Sequence, residues 1–141
     1  MAIIAVDFDG TCTTHEFPKI GKDIGAVPVL QELVANGHGL ILFTMRSDID
    51  SPVSEHEGIH AVGGTYLTDA INWFKEKEIP LHGIQVNPTQ HTWTTSNKCY
   101  ADHYIDDAAI GVPLKYVQGG RPYVDWIAVR EILIGIGLIN L

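Results

Sequence analysis

Four short apolar runs at residues 3–6, 40–43, 83–86 and 104–105 constrain this chain most, because stretches of helical spacing fall between them. The first, Ile3 to Val6, breaks off at Asp7-Phe8-Asp9-Gly10, as a buried strand does on reaching a polar turn. After it, Val27, Leu30, Leu33 and Val34 recur at helical spacing, with Asn36-Gly37 as the stop. A second helix is expected over 68–78, with Ala70, Ile71 and Phe74 on one face and Ile79-Pro80 ending it, and a closing helix over 124–136. Strands joined by helical crossovers pair in parallel, and both faces of a parallel sheet need cover. The expected class is therefore α/β, a Rossmann-like three-layer sandwich with a mostly parallel sheet.

With 141 residues, the chain is long enough for one core and short for two, so a single domain over 1–141 is expected. A formal charge of −8 works against passive attraction to nucleic acid or to an anionic membrane, although a phosphorylated oligonucleotide end stays open as a substrate. No basic n-region precedes the first apolar run, and the apolar stretch over 127–141 is interrupted by Arg130 and Glu131. Cys12 and Cys99 lack a paired spacing and read as free thiols. These features point to a cytoplasmic location and leave a homo-oligomer open.

Ligands of open α/β sheets gather at the carboxyl ends of the strands, where Asp7, Thr44 and Asp106 are all expected. Asp7 and Asp9 flank Phe8 at a tight turn and can face one ligand; their repulsion suits Mg²⁺, which binds one or two carboxylates together with substrate phosphate oxygens. Asp106-Asp107 adds oxygens at a second strand end. Thr44, nearby backbone amides and Lys98 are candidate donors to a phosphoryl group. An aspartate can serve as the covalent nucleophile while a neighbouring carboxyl protonates the leaving group.

The stretches Val6-Asp7-Phe8-Asp9-Gly10-Thr11, Leu42-Phe43-Thr44, Lys98 and Tyr104-Ile105-Asp106-Asp107 resemble, in order, the four motifs of the haloacid dehalogenase superfamily. The resemblance implies Asp7 as nucleophile and metal ligand, and Asp9 as general acid/base with its backbone carbonyl on Mg²⁺. It implies phosphate binding by Thr44 and Lys98 and metal ligation by Asp106, with Asp107 reaching the metal directly or through water. Aspartate at position 9 resembles the phosphatase branch. Met45 and Arg46, beside Thr44, are candidate substrate contacts, with a surface role for Arg46 as the alternative. His15, His56, His60, His91 and His103 show no metal-ligand spacing.

Members of that superfamily often carry a cap after the first motif or between the second and third. Both slots are short here, so a phosphatase without a cap is expected, with a Gly/Ser/His-rich loop over 47–64 as a partial lid. The expected activity is phosphomonoester hydrolysis through a phospho-aspartyl intermediate on Asp7. The alternatives are a phosphotransferase or mutase of the same chemistry, a non-catalytic phosphate-binding protein, and a receiver-like module, whose acidic pair, Thr and Lys would follow a different order.

Overall fold

The computed structural model describes residues 1–49, 53–56, 59–61 and 63–141. Their elements run β1 (Ile3–Val6), α1 (Ala26–Ala35), β2 (Gly39–Leu42), β3 (Asp48–Ile49), β4 (Val53–His56), β5 (Ile59–Ala61), β6 (Gly64–Thr65), α2 (Tyr66–Glu76), β7 (Gly83–Ile84), β8 (His103–Ile105), β9 (Leu114–Lys115), β10 (Tyr123–Val124) and α3 (Trp126–Gly135). The chain is an α/β fold around a parallel sheet of order β7-β2-β1-β8. No helix among the described residues is long and apolar enough to cross a membrane.

Local chemistry accounts for the helix ends. Gly25 enters α1 at φ 91°, Pro28 falls in the first turn where no donor is needed, and Gly37 leaves it at φ 88°. The Asp125 side chain caps α3 by accepting from the Ile127 and Ala128 amides. The core follows from strand alternation. Ile4, Val6, Leu40 and Leu42 share one cluster with Leu30 and Leu33 of α1, Trp73 and Phe74 of α2 and Val129 and Leu133 of α3. Ile3, Ala5 and Ile41 point the other way, toward Cys99, Phe43 and Ala101.

The order β7-β2-β1-β8 also dictates where the crossovers run. The first two step in one direction from β1, whereas the third returns past β2 and β1 to reach β8, so right-handed connections put it on the opposite face. Helices were expected on both faces. The second face is instead covered by the irregular segment between β7 and β8, with one 3₁₀ turn at Gln90–Thr92. Side-chain hydrogen bonds hold that segment. Asn87 accepts from the Thr89 amide, and the buried Gln90 amide bonds the backbone of Asn87, Ser96, Lys98 and Tyr100.

Residues 47–64 are not the continuous loop expected. β3 pairs antiparallel with β6, and β4 with β5, so two short ladders occupy the slot. Positions 50–52, 57, 58 and 62 lie outside the described residues, and the lid expectation rests partly on them. Several other elements are shorter than expected: the 83–86 run is a two-residue strand, and the closing helix starts at Trp126 because Val124 belongs to the β9–β10 ladder.

Candidate active site

The register brings three strand ends level. Val6 pairs with both Leu42 and Ile105, the Asp7 amide continues the ladder to the Ile105 carbonyl, and the Phe43 amide continues it to Val6. Asp7, Phe43-Thr44 and Asp106 therefore emerge together at the carboxyl edge. Because the crossover direction reverses beside β1, this edge is also the topological switch point, where ligands of open α/β sheets bind.

Asp7, Asp106 and Asp107 each offer a carboxylate oxygen within 4.8 Å of the others. Asp7, Phe43, Thr44, Met45 and Asp106 line a cleft of ≈ 120 Å³ at the same place. A larger cavity of ≈ 530 Å³ lies between α2 and the β7 edge, but its lining of mainly apolar residues, such as Ile71, Phe74 and Ile79, includes none of the three carboxylates. Chemistry favours the smaller one.

Thr11 ties the carboxylates together. Its hydroxyl donates to Asp7 at 3.0 Å, lies 3.4 Å from Asp107 and accepts from the Asp107 amide at 3.0 Å. The Thr11 carbonyl in turn accepts from the Trp126 indole at 2.6 Å, anchoring the turn to α3. Gly10 stands at φ 80°, and a Cβ there would come within 2.0 Å of His15 and 2.6 Å of Asp107, so glycine is required by both conformation and space. His15 Nε2 sits 2.8 Å from Asp107.

Burial, and then the Asp106 charge and the Asp107 hydrogen bond, push the Asp7 carboxyl up from 3.8 to about 8, against lowering contacts from Phe8 and Thr11. A divalent cation among the three oxygens would remove the repulsion. Hard carboxylate donors fit Mg²⁺, with Asp7, Asp106 and Asp107 as the residues that would hold it.

Asp9 is placed elsewhere. Both its carboxylate oxygens are held at 2.8 Å by the Arg46 guanidinium. The remaining Arg46 donors bond the carbonyls of Lys19 at 2.8 Å, Tyr66 at 3.1 Å and Pro18 at 3.4 Å, and the group lies over the Phe8 and Phe17 rings at 5.0 and 5.1 Å. Arg46 is only 3% exposed. The surface reading of Arg46 is corrected by this burial, and its donors are engaged by protein acceptors.

Thr44 faces the cleft, its hydroxyl accepting from the Arg46 amide at 3.1 Å. Met45 is 97% exposed at the rim. Lys98 does not line the cleft; its ammonium stands 5.7 Å from the Tyr104 ring centroid, beside a neighbouring groove. One positioning residue escaped the sequence reading. Gln85 sits at φ 66° directly after β7, and its amide closes a pair with the Thr44 backbone, accepting at 2.9 Å and donating at 2.6 Å. A left-handed glutamine leaves no sequence signal.

No family model matches the chain, and no curated protein matches it. Among solved structures, a conserved protein from Bacteroides thetaiotaomicron is similar, with a TM-score of 0.69 and 31% identity over 96% of this chain and 91% of that one.

Proposed function

We propose that this chain, which belongs to the same family as the conserved Bacteroides thetaiotaomicron protein, is a Mg²⁺-dependent phosphomonoester hydrolase acting through an aspartyl phosphate on Asp7. The observation that carries the reading is the meeting of Asp7, Asp106 and Asp107 within 4.8 Å at the switch point, beside Thr44 in one cleft. Three of the four motifs resembling the haloacid dehalogenase superfamily, those at Asp7, Thr44 and Asp106-Asp107, meet at this site and support it, whereas Lys98 stands outside the cleft. The two buried, unpaired cysteines support a reducing cytoplasmic setting.

In this mechanism an Asp7 oxygen attacks phosphorus, the bond to the leaving oxygen breaks, and Asp9 gives that oxygen a proton. Water then attacks phosphorus and passes its proton to Asp9, releasing phosphate and restoring Asp7. A bound Mg²⁺ supplies charge neutralisation to the carboxylates and the phosphate oxygens. Thr44 orients the phosphate, and Gln85 fixes the Thr44 backbone. Asp9 must exchange at least one Arg46 hydrogen bond for the leaving oxygen.

That requirement favours a second reading, in which the site binds phosphate without turning it over. The two are separated by phosphate release from an aryl phosphate with Mg²⁺ and with chelator. Hydrolysis predicts turnover that chelation abolishes and that Asp7→Asn lowers about 100-fold or more. Retention of a tenth of the activity in Asp7→Asn, or full activity after exhaustive chelation, overturns the mechanism.

A further inference from the structure

Next to the cleft lies a groove of ≈ 350 Å³ whose walls include Trp93, Lys98, Tyr100 and Tyr104. The aromatic rings are unusually open to solvent: Trp93 is 62% exposed, Tyr100 46% and Tyr104 40%. They are nevertheless held in place. Trp93 meets Tyr100 edge to face with centroids 5.4 Å apart, and the Tyr104 hydroxyl donates to the Cys99 carbonyl. The buried Gln90 amide pins the backbone at Ser96, Lys98 and Tyr100. One ring contact links the walls of groove and cleft. Phe43, which lines the cleft with Asp7, packs against Tyr104 at 6.4 Å, and Tyr104 is separated from Asp106 only by Ile105.

Exposed, fixed aromatic faces suit a flat aromatic group, since every base offers a π face, and the Lys98 ammonium 5.7 Å from the Tyr104 ring centroid gives the groove a positive wall toward an anionic ligand. We propose that this groove takes the base of a nucleoside monophosphate whose phosphate occupies the Asp7 cleft. The inference rests on the hydrolase reading for the phosphate and on the groove for the base. A longer nucleic acid fits less well, because the chain carries a net charge of −8 and, among the described residues, Lys98 is the one cation lining the groove.

The test pairs turnover with binding. Adenosine 5′-monophosphate and ribose 5-phosphate share the ribose 5-phosphate moiety and differ by the base, so kcat/KM for the nucleotide should be about 10- to 100-fold higher, the scale of one stacked base. Trp93→Ala should collapse that ratio mainly through KM, and Trp93→Phe should restore most of it. Independently, adenosine without phosphate should quench tryptophan fluorescence saturably, because Trp93 is exposed while Trp73 and Trp126 are 5% and 2% exposed. Equal turnover of both phosphates with no adenosine quenching overturns the groove and leaves the hydrolase standing. Saturable quenching with no turnover of either phosphate leaves the groove and overturns the hydrolase. Failure of both measurements overturns both.

Discussion

Replacing Arg46 by alanine tests the most heavily bonded side chain near the site. The substitution leaves the Asp9 carboxylate, whose side chain is only 18% exposed, without its bidentate partner. It also takes the donor from the carbonyls of Pro18, Lys19 and Tyr66 and the cation from the Phe8 and Phe17 rings. Breaking a buried pair from one side costs about 3–5 kcal/mol, because the surviving charge loses its compensation. At about 3 °C per kcal/mol for a domain of this size, the melting temperature should fall by roughly 9–15 °C. Arg46→Lys should fall between, since an ammonium keeps the charge and loses the fork. The decisive comparison uses thermal melts of Arg46→Met and of Arg46→Met with Asp9→Asn. If the stranded charge dominates, the double variant is the more stable of the two. A drop below about 3 °C for Arg46→Ala, or a double variant no better than Arg46→Met, refutes the argument.

Asp7 carries a pH prediction whose sign follows from its raised carboxyl. The folded metal-free protein holds this proton more tightly than the unfolded chain between about pH 4 and 8, so melting temperature in chelator should decline as pH rises through that window. Asp7→Asn should flatten the decline and reduce the melting shift produced by Mg²⁺; a slope identical to that of the parent refutes it. At position 85, glycine should outperform alanine by about 1 kcal/mol in chemical denaturation, because φ 66° burdens a Cβ. Both variants should lose turnover through the released Thr44 backbone, and equal stability would show that the left-handed backbone is not strained.

Much of the fold is legible because its central strands are buried on both faces. Ile3 to Val6 and Leu40 to Leu42 are apolar without interruption, and the register that levels their ends follows from that pairing. The acidic cluster is readable because Asp7 directly follows β1 and Asp106-Asp107 directly follows β8. Elsewhere local composition hides the outcome. The cover of the second face depends on Gln90 reaching three distant carbonyl or amide groups, which no periodicity encodes. Arg46 was ambiguous because an arginine after a strand says nothing about five acceptors drawn from residues 9, 18, 19 and 66. The two ladders between β2 and α2 are built from strands of two to four residues, at or below the length at which alternation can be read.

The lengths of the outer strands bear on how copies of this chain meet. The edges of the central sheet are β7 with two residues and β8 with three, flanking four-residue strands. Beyond β7 the chain turns at once through the left-handed Gln85, and before β8 the Asp102 side chain is occupied by the Ile3 amide at 2.8 Å. A neighbouring molecule finds too few consecutive amides and carbonyls on either side to add a strand in register. Self-association of this fold through that sheet must therefore be built from side-chain surfaces.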